Sequence, residues 1–251
     1  MSPDVIMLIA GTFLFAGLVK GVLGLGLPVV VTALLAATLG LKSAIGLMLV
    51  PSVVMNVWQA LVGGGFLELL RRLWPLFAMS IAGIWMGVQI LARSDAAVLL
   101  SVLAVVLIIY SGWSLARAQV KPPGRWEPIL TPVIGGLSGM VFGMVGNFMV
   151  PGVLYLQALG LGRDRLVQAL GMTFVIISLT MMILMSRYSL VNEETLGISA
   201  AAMLPALIGM VIGRRMRGWF SEAQFRTLFF VGLMIAGVYM LYVAQAGGAG
   251  R

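Results

Sequence analysis

The residues able to do chemistry in this chain are few, and they gather at two glycine-rich breaks in otherwise apolar sequence. The first reads Lys20-Gly21-Val22-Leu23-Gly24-Leu25-Gly26-Leu27-Pro28, and the second reads Gly143-Met144-Val145-Gly146-Asn147 and reaches Pro151. Proline suits the first turn of a helix, where its missing N–H would be unpaired anyway. Helices starting near Pro28 and Pro151 would each aim free N–H groups at a glycine turn, which attracts anions. Glycine also lets a ligand come close to the backbone. Irregular backbone at membrane depth survives only where it is buried in protein or lines a cavity. Two such breaks facing each other would build one central site. The competing reading is that these glycines let helices pack closely.

Apart from Arg226, the fourth residue of the run 223–244, Lys20 is the only charged residue inside a long apolar run. A lysine at the bilayer centre costs about 2.5–3.5 kcal/mol on insertion scales. It must face a cavity or a partner, or else reach along the helix to the interface. Beside helix N-termini it suits an anionic ligand. Ser52, Asn56 and Gln59 recur at helical spacing and share a face, and Asn147 sits inside the second break. With Thr173 they could donate hydrogen bonds to an oxyanion, or bond between helices.

Other chemistries are excluded or weakened. There is no cysteine and no histidine, so thiolate zinc sites, His/Cys haem ligation and Cys/His catalysis are absent. The eight acids (Asp4, Glu68, Asp95, Glu127, Asp164, Glu193, Glu194 and Glu222) all lie outside the core of the apolar runs. That argues against a buried carboxylate for proton coupling and against a cation substrate. No acid pair or nucleophile–base pair points to an enzyme, and no cofactor or metal is expected. The 18 methionines read as packing.

The elements that must position these residues are membrane helices. Hydrophobic residues make up 61% of the chain and charged residues 10%, with a mean hydropathy of +1.10. A soluble domain carries roughly 25% charged residues, so this chain cannot coat a water-facing surface. The net charge of +8 sits in short gaps between apolar runs, where loops face anionic lipid. The expected partners are therefore a lipid bilayer and a small anionic substrate, not nucleic acid; a homo-oligomer stays open. The runs are 5–39 and 129–159, each broken as above, with 44–62, 73–92, 96–116, 166–186, 195–213 and 223–244 between and after them. Asp95 and Ser221 stand where N-caps belong.

The two halves match at an offset near 125 residues. Pro28 lines up with Pro151, and Ala44-Ile45-Gly46 with Ala169-Leu170-Gly171. Trp74-Pro75 with Gly83 and Gly87 lines up with Leu204-Pro205, Gly209 and Gly213. Loop cations choose the topology. If each broken run is a pair of short helices returning to its starting side, Lys42, Arg93, Arg187 and Arg251 share one side. Arg71, Arg72, Arg117, Lys121, Arg125, Arg163, Arg165, Arg214, Arg215, Arg217 and Arg226 share the other. Four against eleven is the asymmetry of the positive-inside rule. The expected fold is an all-α polytopic membrane protein of two inverted-topology repeats. Each has a broken or re-entrant helix pair plus three transmembrane helices. Residues 1–116 form the first repeat, 117–128 a cytoplasmic linker and 129–251 the second, with both termini outside. Such duplication places a substrate site at the repeat interface.

The segment from Lys20 to Pro28, with Ala44-Ile45-Gly46 after it, resembles the first signature of the TauE/SafE sulfite exporter family. The segment Gly143–Pro151, with Ala169-Leu170-Gly171-Met172-Thr173, resembles the second. The resemblance implies a bacterial inner-membrane permease for sulfite, sulfoacetate or related sulfur-containing anions. It also implies that Gly21, Gly24, Gly26, Pro28, Gly143, Gly146 and Pro151 line the pore. Leu25 and Leu27 stand where many members carry more glycine, and Met48 where threonine or serine is frequent. The expectation is an anion transporter working by alternating access. A channel-like anion pore and a non-transport scaffold or assembly protein are its rivals.

Overall fold

The computed structural model of the chain describes residues 2–116, 121–216 and 222–248. Arg117, Arg217, Ser221 and Arg251, named above as loop cations or a cap, lie outside them. Ten α-helices and no strand occur among the described residues. They are α1 Pro3–Leu23, α2 Leu27–Leu39, α3 Leu41–Leu61, α4 Phe66–Arg93, α5 Ala96–Leu115, α6 Glu127–Val145, α7 Leu154–Ala158, α8 Arg163–Arg187, α9 Glu193–Met216 and α10 Glu222–Gly248. A 3₁₀ turn, Gly124–Trp126, leads into α6, and a π-type turn, Met149–Val153, leads into α7. Helices close all their backbone hydrogen bonds internally, as lipid requires. Eight are long and apolar enough to cross a membrane; α2 and the segment Met149–Ala158 are shorter.

Each half thus has a helix pair followed by three long helices. The pairs are lopsided, which corrects the expectation of two short helices. α1 has 21 residues and α6 has 19, whereas α2 has 13 and α7 only five. At about 1.5 Å per residue, α2 falls well short of the roughly 30 Å hydrocarbon core. α1 and α6 start and stop alike. Each has a proline and an acid in its first turn, Pro3 with Asp4 and Pro128 with Glu127, and each ends on a left-handed glycine, Gly24 or Gly146. Asp95 does precede α5 as its N-cap residue, but its side chain makes no capping bond.

The helices form two compact units. One holds α1, α2, α3 as far as Pro51, α5, α9 and α10; the other holds the rest of α3 with α4, α6, α7 and α8. Each unit draws on both halves of the sequence.

In the first unit α1 lies parallel to α9, with Gly17 on Ala206 and, a turn later, Gly21 on Met210. A Cβ at Gly17, Gly21, Gly209 or Gly213 would collide with backbone of the opposite helix. In the second unit α4 and α6 pack in the same way, with Gly139 on Ser80 and Gly143 on Ile84. The contacts correspond one for one. Leu14, Gly17, Leu18 and Gly21 take the parts of Gly136, Gly139, Met140 and Gly143; Ala206, Gly209, Met210 and Gly213 take those of Ser80, Gly83, Ile84 and Gly87. Close backbone approach at small residues is how membrane helices gain packing energy. In this register Pro75 falls opposite Ala201, so the expected match of Pro75 with Pro205 is four residues out.

Helix directions bear on the topology. In the first unit α5 and α10 are antiparallel: Arg226 donates to the Ser114 carbonyl, Phe230 meets Tyr110, and Gly237 meets Ala104. Successive spans alternate in direction, so α9 opposes α10, and α1, α5 and α9 run the same way. An even number of passes then separates α1 from α5, which requires α2 to return. An odd number separates α5 from α10, which requires the α7 segment to return. The second unit makes this visible. Arg72 Nη2 donates to the carbonyl of Leu159, just past α7, at 3.4 Å, and Tyr155 of α7 bonds Thr131 of α6 at 2.6 Å. The ion pairs Arg72–Glu127 (2.6 Å) and Glu68–Arg165 (2.7 Å) gather the N-terminal parts of α4, α6 and α8 at that end.

Pro51 lies inside α3, where its missing N–H would orphan the Leu47 carbonyl. Ser199 of α9 fills the gap: its buried hydroxyl donates to Leu47 O at 2.6 Å and accepts from the Val50 N–H at 3.2 Å.

Candidate functional site

The first break lies in the first unit. α1 closes on Gly24 (φ +80°), whose N–H donates to the Lys20 carbonyl at 2.8 Å. Gly26 follows at φ +112°. Both angles favour glycine, which is why the turn is glycine-rich. α2 then starts at Leu27 with Pro28 in its first turn, as the sequence predicts. Lys20 is 5% exposed. Its side chain therefore does not run along the protein surface to the helix end. Arg214, whose backbone packs on Gly21, brings a second positive charge to this end of the α1–α9 pair.

The second break lies in the second unit and begins the same way. α6 closes on Gly146 (φ +70°), whose N–H donates to the Phe142 carbonyl at 2.7 Å. The chain then differs. Asn147 Oδ1 accepts the Met149 N–H at 2.9 Å, Val150 is extended, and the Val150–Pro151 peptide is cis. Helical backbone resumes at Pro151 and is over by Ala158. The expected helix start at Pro151 is present but short, so its dipole is small. The Phe148 ring packs edge-on between Phe142 and Phe174 of α8, with centroids 6.3 Å from each.

The glycines divide by role. Gly24, Gly26 and Gly146 shape the turns. Gly21 and Gly143 lie inside the helix–helix contacts described above.

The remaining candidate side chains belong to the second unit. Ser52 and Asn56 are buried and Gln59 is half-buried. The Ser52 and Ser178 hydroxyls share a hydrogen bond at 2.9 Å between α3 and α8, and Asn56 Nδ2 donates to the Ser52 carbonyl at 2.6 Å. Gln59 packs on Gly171 of α8. Thr173, fully buried, donates to the Ala169 carbonyl at 2.7 Å. These groups join helices or bond their own backbone. Asn147 is different. Its carbonyl oxygen is held by Met149 N–H, which fixes the amide orientation. Its fully buried Nδ2 has no hydrogen-bond partner among the described residues. A buried donor left unpaired costs about 1–3 kcal/mol, which a hydrogen-bond acceptor entering the break would relieve.

Sequence reasoning passed over Ser199 and the Arg72–Glu127 clamp. Pro51 was the signal for Ser199, since a proline inside a span calls for an outside donor, but nothing local says which residue supplies it. Among the described residues no group of Asp and Glu could hold a metal. The chemistry on offer is hydrogen-bond donation and positive charge: the ammonium of Lys20 at one break and the amide of Asn147 at the other.

A family model described as Sulfite exporter TauE/SafE matches residues 9–240. The chain belongs to that family. No curated protein and no solved structure matches it.

Proposed function

We propose that this TauE/SafE member is a permease, not an enzyme, exporting a small anion such as sulfite or sulfoacetate across a bacterial inner membrane. The observation that carries the reading is Lys20. In a family of sulfite exporters, a buried cation stands four residues before a left-handed glycine that ends a membrane helix. Ammonium and amide donors suit sulfur oxyanions, whose charge is spread over several acceptor oxygens.

Alternating access between inverted repeats is the proposed mechanism. The contact-by-contact match of α1–α9 with α4–α6 supports the repeat. Five passes per half support its inversion, and loop cations support an orientation with both termini in the periplasm. Binding from one side of the membrane and release to the other would follow from two arrangements of the same helices. Counterflow in proteoliposomes tests this. A carrier loaded with unlabelled sulfite accumulates labelled sulfite transiently, whereas a pore lets the label equilibrate without overshoot.

A further inference from the structure

We propose that the recess between the N-terminal parts of α4 and α6 binds the phosphate of an anionic phospholipid headgroup. The recess has a volume of about 430 Å³ and is lined by Arg72, Pro75, Arg125, Glu127, Pro128 and Thr131. It exists because of how the two helices meet. From Leu76 and Gly135 onward their backbones touch, with no room for a Cβ at Gly135. Towards their N-terminal ends the rings of Pro75 and Pro128 line the opening instead.

Two guanidinium groups and one carboxylate line the recess. Glu127 holds Arg72 through Nε (2.6 Å) and Nη2 (2.9 Å), and Leu159 O takes a further bond from Nη2. Nη1 is committed to neither. Arg125 lies over the Trp126 ring, 5.6 Å from its centroid, which orients it without using its N–H donors. The lining carries net positive charge and presents planar forks of the kind that match phosphate oxygens.

The surroundings favour a lipid as the source of that phosphate. Trp74 and Trp126 are sequence neighbours of the lining residues Pro75 and Arg125 and are 62% and 54% exposed, as tryptophans are at a membrane interface. Along α6, Ile129 and Val133 are exposed a turn apart, offering acyl chains an apolar track away from the headgroup. Basic pockets between membrane helices take anionic headgroups in this way. The inference does not depend on which anion the protein transports.

The test uses the full chain in neutral detergent, with retained lipid counted by native mass spectrometry. The probes are phosphatidylglycerol, phosphatidylcholine and glycerol 3-phosphate. One phosphatidylglycerol should be retained saturably, and phosphatidylcholine should not. Arg125→Gln, which gives up only a ring contact, should weaken retention about fivefold. Arg72→Gln should weaken it too, but it also strips Glu127 of its partner, so Arg125→Gln carries the test. Arg93→Gln, at the other end of α4, should change nothing. Equal retention by wild type and Arg125→Gln would overturn the proposal. So would displacement of the lipid by glycerol 3-phosphate at matching concentration, which would make this a site for soluble phosphates.

Discussion

The carbonyls of Lys20 and Phe142 accept the same hydrogen bond in two matching turns, from Gly24 N–H at 2.8 Å and from Gly146 N–H at 2.7 Å. Both side chains are buried. The backbone of the two breaks is therefore shared up to the glycine, and the chemistry is not. One turn offers a cation and then Leu25; the other offers an aromatic ring and then Asn147. An anion at the first break would meet charge, and one at the second an amide donor.

Asn147→Asp tests the second half of that statement. The new carboxylate can still accept the Met149 N–H, so the turn keeps its cap. The free donor becomes an acceptor with negative charge. Hydrogen bonds to charged groups contribute about 1.5–3 kcal/mol, so sulfite flux, compared at equal amounts of folded protein, should fall at least about tenfold. Unchanged flux would remove Asn147 from the site.

The packing glycines make a sharper stability prediction. Gly17→Val and Gly139→Val drive a side chain into the backbone of Ala206 and Ser80 respectively. Overpacking costs typically about 1–3 kcal/mol, and backbone has less room to yield than a side chain. Both should lower the melting temperature clearly and by similar amounts, because their contacts correspond. Gly11→Ala and Gly232→Ala, with open space at each Cβ position, should be neutral or slightly stabilising.

Span count, the two breaks, their glycine ends and the helix start at Pro28 were all legible in the sequence, because each depends on local patterning. The uneven helix lengths in each pair were not, since an apolar run does not show where its long helix stops. Nor was the difference between Gly21 and Gly24. They are three residues apart and of one type, and what separates them is the α9 backbone against one and a left-handed turn at the other. Pro75 and Pro205 looked equivalent beside similar glycine pairs, yet the glycine contacts set a register that parts them by one helical turn.

Ser199 and Pro51 should be coupled. Ser199→Ala leaves the Leu47 carbonyl without its hydroxyl donor, at a cost of about 1–3 kcal/mol. In a Pro51→Ala background the helix regains an N–H for that carbonyl, so the same substitution should cost much less. A double-mutant cycle of melting temperatures measures the difference. Additive effects would mean that the hydroxyl does not serve the proline gap.

Topology can be read with single cysteines, because the chain has none of its own. Cysteines placed at Lys42 and at Ser94 should react with an impermeant maleimide added outside intact cells. A cysteine at Lys121 should react only after permeabilisation. A cysteine at Arg187 should be labelled like the one at Lys42; if each broken run crossed only once, the two would lie on opposite sides and only one of them would react in intact cells.

The central claim rests on the charge of Lys20, and anion flux tests it directly. Protein reconstituted in sulfite-loaded vesicles should show saturable flux that excess unlabelled sulfite inhibits. Lys20→Gln keeps a flexible polar side chain, one atom shorter, and removes the charge. It should lower that flux by about tenfold or more, with folded protein recovered in equal amount. Flux through Lys20→Gln equal to that of the wild type would contradict the account, since the buried cation would then play no part in moving the anion.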